Sequence, residues 1–143
     1  MSGIKYLLDT NFVLGLLKAT PEVVHIVTTR DLMASSCAYS AVTRMELLGY
    51  SGITDDEEKL ISARLSNFTY LSITLEVEDV AIVLRRSRKV KLPDAIIAAT
   101  ARHHNLELLS LDKQLLTLAN DIQSEDNSHN EVGFSRPVGK EVL

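Results

Sequence analysis

The stretch Leu92-Pro93-Asp94-Ala95-Ile96-Ile97-Ala98-Ala99-Thr100-Ala101 sets a carboxylate at the mouth of a helix whose other residues are small or apolar. Pro93 suits the first helical position, where its missing N–H costs nothing, and Asp94 falls in the first turn, where the helix dipole favours an anion. Ala95, Ala98, Ala99 and Ala101 let a neighbouring backbone come close, while Ile96 and Ile97 supply an apolar stripe. The pattern predicts a buried helix with one charge at its tip. After His103-His104, Asn105 can end that helix in a left-handed conformation. Leu106-Glu107-Leu108-Leu109-Ser110-Leu111 then reads as a strand that delivers Asp112 at its carboxyl end. Two acids flank one helix–strand unit.

Working outward, the amino end repeats the arrangement. Ile4-Lys5-Tyr6-Leu7-Leu8 has strand propensity, and Asp9 closes it before Phe12, Val13, Leu16 and Leu17 take up helical spacing. Thr20-Pro21-Glu22 has the cap and first-turn residues of a second helix, which carries Val23, Val24, Ile26 and Val27 towards Arg30. A second strand is expected over Leu32–Tyr39, with Ser40 capping a helix through Ala41, Val42, Met45, Leu47 and Leu48 that contains Glu46. Gly49-Tyr50-Ser51-Gly52 breaks the pattern, and Thr54 with Glu57 has the spacing of a capping box before Leu60, Ile61, Ala63 and Leu65. Phe68–Ile73 alternates as a strand. Glu76, Glu78 and Asp79 open a helix with Val77, Val80, Ala81 and Leu84 on its buried side, ending in Arg85-Arg86-Ser87-Arg88-Lys89.

After Asp112 a short helix is expected over Leu115, Leu116 and Leu118, and from Asp121 to His129 the chain turns polar without helical or strand period. The closing segment Val132–Val138 is hydrophobic enough to dock back. This divides the chain into a domain over residues 1–122 and a polar tail over 123–143. Alternating strands and helices imply a three-layer α/β/α sandwich with a mainly parallel central sheet, whose ligand site lies beyond the carboxyl ends of the strands.

Composition agrees with one soluble domain: 143 residues, 45% hydrophobic, with the apolar residues in short runs rather than a membrane-length block. The start Met1–Tyr6 has no basic region followed by a long apolar core, so the cytoplasm is the expected location and no membrane partner is indicated. Cys37 is the only cysteine and reads as a small buried hydrophobe. A net charge of −4 disfavours holding a polyanion by surface charge alone, but divalent cations among the carboxylates would offset it locally.

Asp9, Asp94 and Asp112 all belong near the carboxyl edge of the sheet, with Glu46 as a fourth candidate. Clustered carboxylates repel unless a hard cation sits among them, and Mg²⁺ or Mn²⁺ prefers such all-oxygen company with positions left for water and phosphate. The chemistry implied is metal-assisted phosphodiester hydrolysis, with no side-chain nucleophile required. Each acid also has an ordinary structural use. Asp94 can stabilise its helix dipole, Asp112 can cap the following helix, and Asp9 can make an Asx-turn with Asn11. Glu46 stands among Val42, Met45, Leu47 and Leu48, where burial without a partner would be costly; an inward face therefore favours a ligand role.

Taken together, Leu7-Leu8-Asp9-Thr10-Asn11, Ser40-Ala41-Val42-Thr43-Arg44-Met45-Glu46-Leu47-Leu48, Leu92–Ala101 and Leu109-Ser110-Leu111-Asp112 resemble the PIN-domain nucleases, and more narrowly the VapC-type toxins of bacterial toxin–antitoxin pairs. The resemblance implies a compact α/β/α fold, Mg²⁺ or Mn²⁺ at the acidic cluster, and endonucleolytic cleavage of RNA. It also implies dimerisation and inhibition by a small antitoxin protein. It makes Asp9, Glu46, Asp94 and Asp112 catalytic, with Asp9, Asp94 and Asp112 on the metal and Thr10, Asn11 and Ser110 supporting them. Ser110 stands where the family more often has Thr, and Leu111 where it has a polar or basic residue. A noncatalytic PIN-like binding module would need a lost acid. An aspartyl-nucleophile phosphatase would want a second aspartate where Asn11 stands.

Arg85, Arg86, Arg88, Lys89 and Lys91 form a basic run just before Leu92, placed either to grip RNA phosphates or simply to complement a helix carboxyl end. His25, His103 and His104 fit no zinc spacing. Val13, Leu17, Val24 and Val27 exceed what one buried stripe needs, so some are expected to meet a second subunit or an antitoxin helix.

Overall fold

The computed structural model describes residues 3–129. A four-stranded, wholly parallel sheet has the order β3-β2-β1-β4, formed by β1 (Tyr6–Leu8), β2 (Cys37–Ser40), β3 (Thr69–Leu71) and β4 (Glu107–Leu109). Between and after the strands run α1 (Thr10–Lys18), α2 (Pro21–Arg30), α3 (Ala41–Leu48), α4 (Asp55–Leu65), α5 (Leu75–Ser87), α6 (Leu92–His103) and α7 (Lys113–His129). The three-layer α/β/α sandwich expected from the sequence is the observed fold.

Strand alternation assigns residues to the two layers. Leu7, Ala38 and Leu108 point to one face, where Leu84, Ile97, Ala98, Leu115 and Ala119 of α5, α6 and α7 cover them. Leu8, Tyr39 and Leu109 point to the other, against Phe12, Val13, Val23, Leu47, Ile61 and Leu65 from α1 to α4. Cys37 joins this second core. Burial pushes its thiol pKa up to about 11, which marks an inert hydrophobe. The small residues of α6 divide between two neighbours. Ala98 and Ala101 face the sheet, while Ala95 and Ala99 are fully buried against Val77 and Ala81 of α5.

The local signals mostly hold. Thr54 and Glu57 form the complete capping box, Ser40 caps α3, and Asn105 adopts φ 56° beyond the end of α6. Several boundaries differ. The second strand is confined to Cys37–Ser40, because Ala34–Ser36 form a 3₁₀ turn, as adjacent serines favour. In α6, Leu92 takes the first helical position and Pro93 the second, with Lys91 as cap residue. The largest difference is α7, which runs to His129 through a stretch expected to lack structure, so this element does not stop at residue 122. Its polar end carries no apolar stripe, the signal by which helices are read. The segment Val132–Val138 lies outside the described residues. Among the described residues no single helix is long and apolar enough to cross a membrane.

Candidate active site

β1 lies between β2 and β4, so the chain leaves β1 for one side of the sheet and later returns to its other side. The helix after β1 covers one face and the helix after β4 covers the opposite one. Connections diverging in this way open a crevice at the carboxyl edge between the two strands. That crevice is a cavity of about 420 Å³, and Asp9, Asn11, Glu46, Asp94 and Asp112 all line it, together with Thr10, Met45 and Tyr50.

Each acid is held by a different device. Asp9 follows β1 directly and is the N-cap of α1: its Oδ1 accepts from the Phe12 N–H at 2.8 Å, and its Oδ2 accepts from Ser110 Oγ at 2.5 Å. Ser110 is buried after β4, and its Oγ also accepts the Asp112 N–H at 2.9 Å. One hydroxyl thus ties the two strand ends together. Asp112 caps α7, its Oδ1 accepting from the Gln114 and Leu115 N–H groups at 2.9 and 3.2 Å. Asp94 rides on the first turn of α6 and is half-buried. The sequence offers capping as an alternative to a site role for Asp112 and an Asx-turn with Asn11 for Asp9; the structure makes both residues helix caps. In the fold the cap bonds are what orient these carboxylates at the cavity.

Glu46 reaches the cavity differently from the way its neighbours suggested. The side of α3 that carries it is exposed, so no burial penalty applies; instead Thr10 Oγ1 donates to Glu46 Oε1 at 2.5 Å. Thr43, fully buried one turn before Glu46, lies 3.1 Å from Thr10 Oγ1. Because Thr10 has a single hydroxyl proton and gives it to the carboxylate, Thr43 is the donor in that second contact. Thr43 is the polar residue that sequence reading missed, although its i, i+3 spacing to Glu46 on one helix face was a usable signal.

The acids sense one another. Burial pushes the Asp9 carboxyl above its ordinary range, the Ser110 and Phe12 hydrogen bonds pull it back, and the charges of Asp112 and Asp94 push it further up. Asp94 is raised by burial first and then by Asp112 and Glu46, with Lys91 opposing. Among the described residues no three acidic, histidine or cysteine side chains close around a single point. The site is an open cavity lined by hard oxygen donors. That suits an ion which keeps much of its water and takes one or two carboxylates plus substrate phosphate, as Mg²⁺ does.

The basic run is divided by the fold. Arg88, Lys89 and Lys91 line a second cavity, of about 530 Å³, that also contains Asp94 and Asp112. Arg85 and Arg86 do not join it; they stand on a groove lined by Ile73, Ala81, Ile82, Leu92 and Ile96. Of the apolar residues expected to be in excess on the first two helices, Val13 is fully buried in the core and Val24 is exposed.

A parallel α/β/α sandwich with clustered carboxylates at its switch point defines the class of protein. The chain belongs to the PIN domain family, whose pattern matches residues 6–120; PIN domains are generally nucleases. Among solved structures it is similar to a toxin–antitoxin complex from Klebsiella pneumoniae, with TM-score 0.67 and 30% identity over 77% of this chain and 88% of that one. It is similar also to a DNA-bound VapBC from Salmonella typhimurium, with TM-score 0.58 and 25% identity over 72% and 83%. FitAcB from Neisseria gonorrhoeae shares the fold, with TM-score 0.64 and 24% identity over 80% and 93%. Comparison with curated proteins gives no match.

Proposed function

We propose that this chain is a divalent-metal-dependent endoribonuclease and the toxin of a toxin–antitoxin pair, working as a homodimer restrained by a small antitoxin protein. The observation that carries the enzymatic part is the convergence of Asp9, Glu46, Asp94 and Asp112 on one open cavity. The solved relatives from Klebsiella pneumoniae and Salmonella typhimurium support the antitoxin partner.

Asp9, Asp94 and Asp112 are the residues that would hold the ion, one or two of them directly and the rest through its water shell, and Glu46 stands beside them to orient water. Bound there, Mg²⁺ or Mn²⁺ supplies an activated water and neutralises charge on the scissile phosphate. The chain's own part is to fix the carboxylates beforehand. The Phe12 N–H and Ser110 hydroxyl set the plane of Asp9, and each oxygen keeps a second lone pair for a ligand. Asp112 accepts its cap bonds through Oδ1, leaving Oδ2 without a cap bond. Thr10 keeps Glu46 a hydrogen-bond acceptor at the rim. Burial first, and then the charges of neighbouring acids, raise the proton affinity of Asp9 and Asp94; a cation would relieve the second of these.

A noncatalytic module is disfavoured by the presence of every acid in the cavity. An aspartyl nucleophile is disfavoured because both Asp9 oxygens already accept hydrogen bonds, which blunts nucleophilicity. The deciding experiment incubates the purified chain with a mixed RNA pool in Mg²⁺, in Mn²⁺ and in EDTA. Internal cleavage that needs the ion and disappears in Asp9→Asn is expected; cleavage that survives EDTA overturns the reading.

A further inference from the structure

The cavity that takes Arg88, Lys89 and Lys91 is contiguous with the acidic one, since Asp94, Asp112 and Leu115 line both. Its remaining wall is Val90 and, from α7, Gln114, Thr117, Leu118 and Asp121. Arg88 is engaged by Asp121, at 3.7 Å. Lys89 and Lys91 are exposed and make no ion pair among the described residues. Two ammonium groups without an ion-pair partner among the described residues therefore line a polar trough that shares Asp94 and Asp112 with the acidic cavity.

We propose that this trough is the track for the RNA strand flanking the scissile phosphate, with Lys89 and Lys91 taking the phosphate of a neighbouring nucleotide. The proposal rests on the nuclease reading and deepens it. Three features favour a polyanion over a protein segment. The lining is mostly polar, whereas a docked peptide helix needs apolar anchors. The free groups are ammonium point charges, which hold phosphate oxygens without demanding a fixed orientation. The trough opens directly onto the carboxylates, so a strand whose scissile phosphate sits among them must leave along one of their flanks. Lys91 also serves Asp94, its neighbour one helical turn on: its positive charge opposes the effect of Asp112 and Glu46. The division of the basic run follows. Lys89 and Lys91 belong to the substrate, while Arg85 and Arg86, beside Ile82, Leu92 and Ile96, do not.

The test uses fluorescence anisotropy of a labelled, mixed-sequence single-stranded RNA in Mg²⁺, with Asp9→Asn present throughout to prevent cleavage. Lys89→Gln/Lys91→Gln is compared with Arg85→Gln/Arg86→Gln, which removes the same charge from the other groove. Loss of two single-strand phosphate contacts should flatten the plot of log K against log salt by about 1.4, equivalent to roughly 25-fold weaker binding at 0.1 M if the lines meet at 1 M. The arginine pair should change the slope far less, and Lys89→Arg/Lys91→Arg should restore it. With Asp9 intact, the effect of Lys89→Gln alone, which leaves the Lys91 charge beside Asp94 in place, should fall on KM rather than kcat.

Equal flattening by both glutamine pairs would reduce the effect to net charge and overturn the track. An unchanged slope would leave the trough to an acidic protein segment and overturn it as well. If the unsubstituted chain neither binds nor cleaves RNA, the nuclease reading itself falls and the track with it, an outcome distinct from active enzyme with unaltered KM.

Discussion

Helix α6 has a tip and a flank that obey opposite rules. At the tip, Asp94 shares an open cavity with Asp112 and Glu46, and burial first, then these like charges, raise its proton affinity. On the flank, Ala95 and Ala99 are fully buried against Val77 and Ala81, with only apolar side chains in the cluster. The flank is closely packed, and its small residues let α5 and α6 meet along an extensive contact. The tip is stabilised by nothing comparable. The apolar flank thus fixes the helix whose tip carries a charge close to others of its own sign.

The largest expected effect breaks the tip without touching the flank. Asp9→Asn keeps a cap acceptor for the Phe12 N–H but removes the charge, so RNA cleavage should fall by more than the roughly 10–100-fold typical of residues that only support a metal ligand. Ser110→Ala, which unties the hydroxyl link between Asp9 and Asp112, should fall within that range. Both chains should retain the wild-type circular dichroism spectrum. A Ser110→Ala loss equal to that of Asp9→Asn would mean that the hydroxyl itself is part of the chemistry.

The next effect runs the other way. Ala99→Leu forces extra methylenes into a fully buried contact and should lower stability by about 1–3 kcal/mol in urea unfolding. Because Asp94 is carried on the same rigid helix, residual cleavage per folded molecule should also fall. Unchanged stability would show that the flank has slack and is not what fixes the tip.

How much of this was legible depends on which physics was local. The α6 pattern, the capping box at Thr54 and the left-handed Asn105 were readable because cap and turn chemistry acts within a few residues. Asp9, Asp94 and Asp112 were readable as a group because strand ends and a helix tip in a parallel sheet must share one edge. The route by which Glu46 reaches the cavity was not readable. It depends on Thr10 of α1 meeting Thr43 and Glu46 of α3, hydrogen bonds that span 33 and 36 positions and that no local pattern places together. The splitting of the basic run was hidden for a similar reason: α5 ends at Ser87, and the extended Arg88 turns the following residues towards α7. The length of α7 was missed because its last turns lack an apolar period, and Asp, Asn and Ser are intrinsically weak helix formers.

The smallest effect separates the two rules within α6 itself. Burial and like charges hold the Asp94 carboxyl above its ordinary range, and Asp9 as well. Between that ordinary range and the raised values, the folded chain retains protons that the unfolded chain has released. Stability of the metal-free protein should therefore decline as pH rises through that window, and it should be fully recovered below the unfolded-state pKa. Asp94→Asn removes one charge, and with it one of the two like charges acting on Asp9, so at neutral pH the metal-free variant should melt at the same temperature as wild type or higher. That gain must exceed the lost helix-dipole contact of roughly 0.3–1 kcal/mol. The gap should close as pH falls, because wild-type Asp94 then carries a proton and the two side chains become alike in charge. Mn²⁺ at about 100 times its Kd should add about 2.7 kcal/mol to the wild type by mass action, and much less to the variant. If Asp94→Asn melts lower at neutral pH and still responds fully to Mn²⁺, then tip and flank follow the same rule. Asp94 is in that case a helix-stabilising acid, and the cavity loses the residue on which its metal chemistry turns.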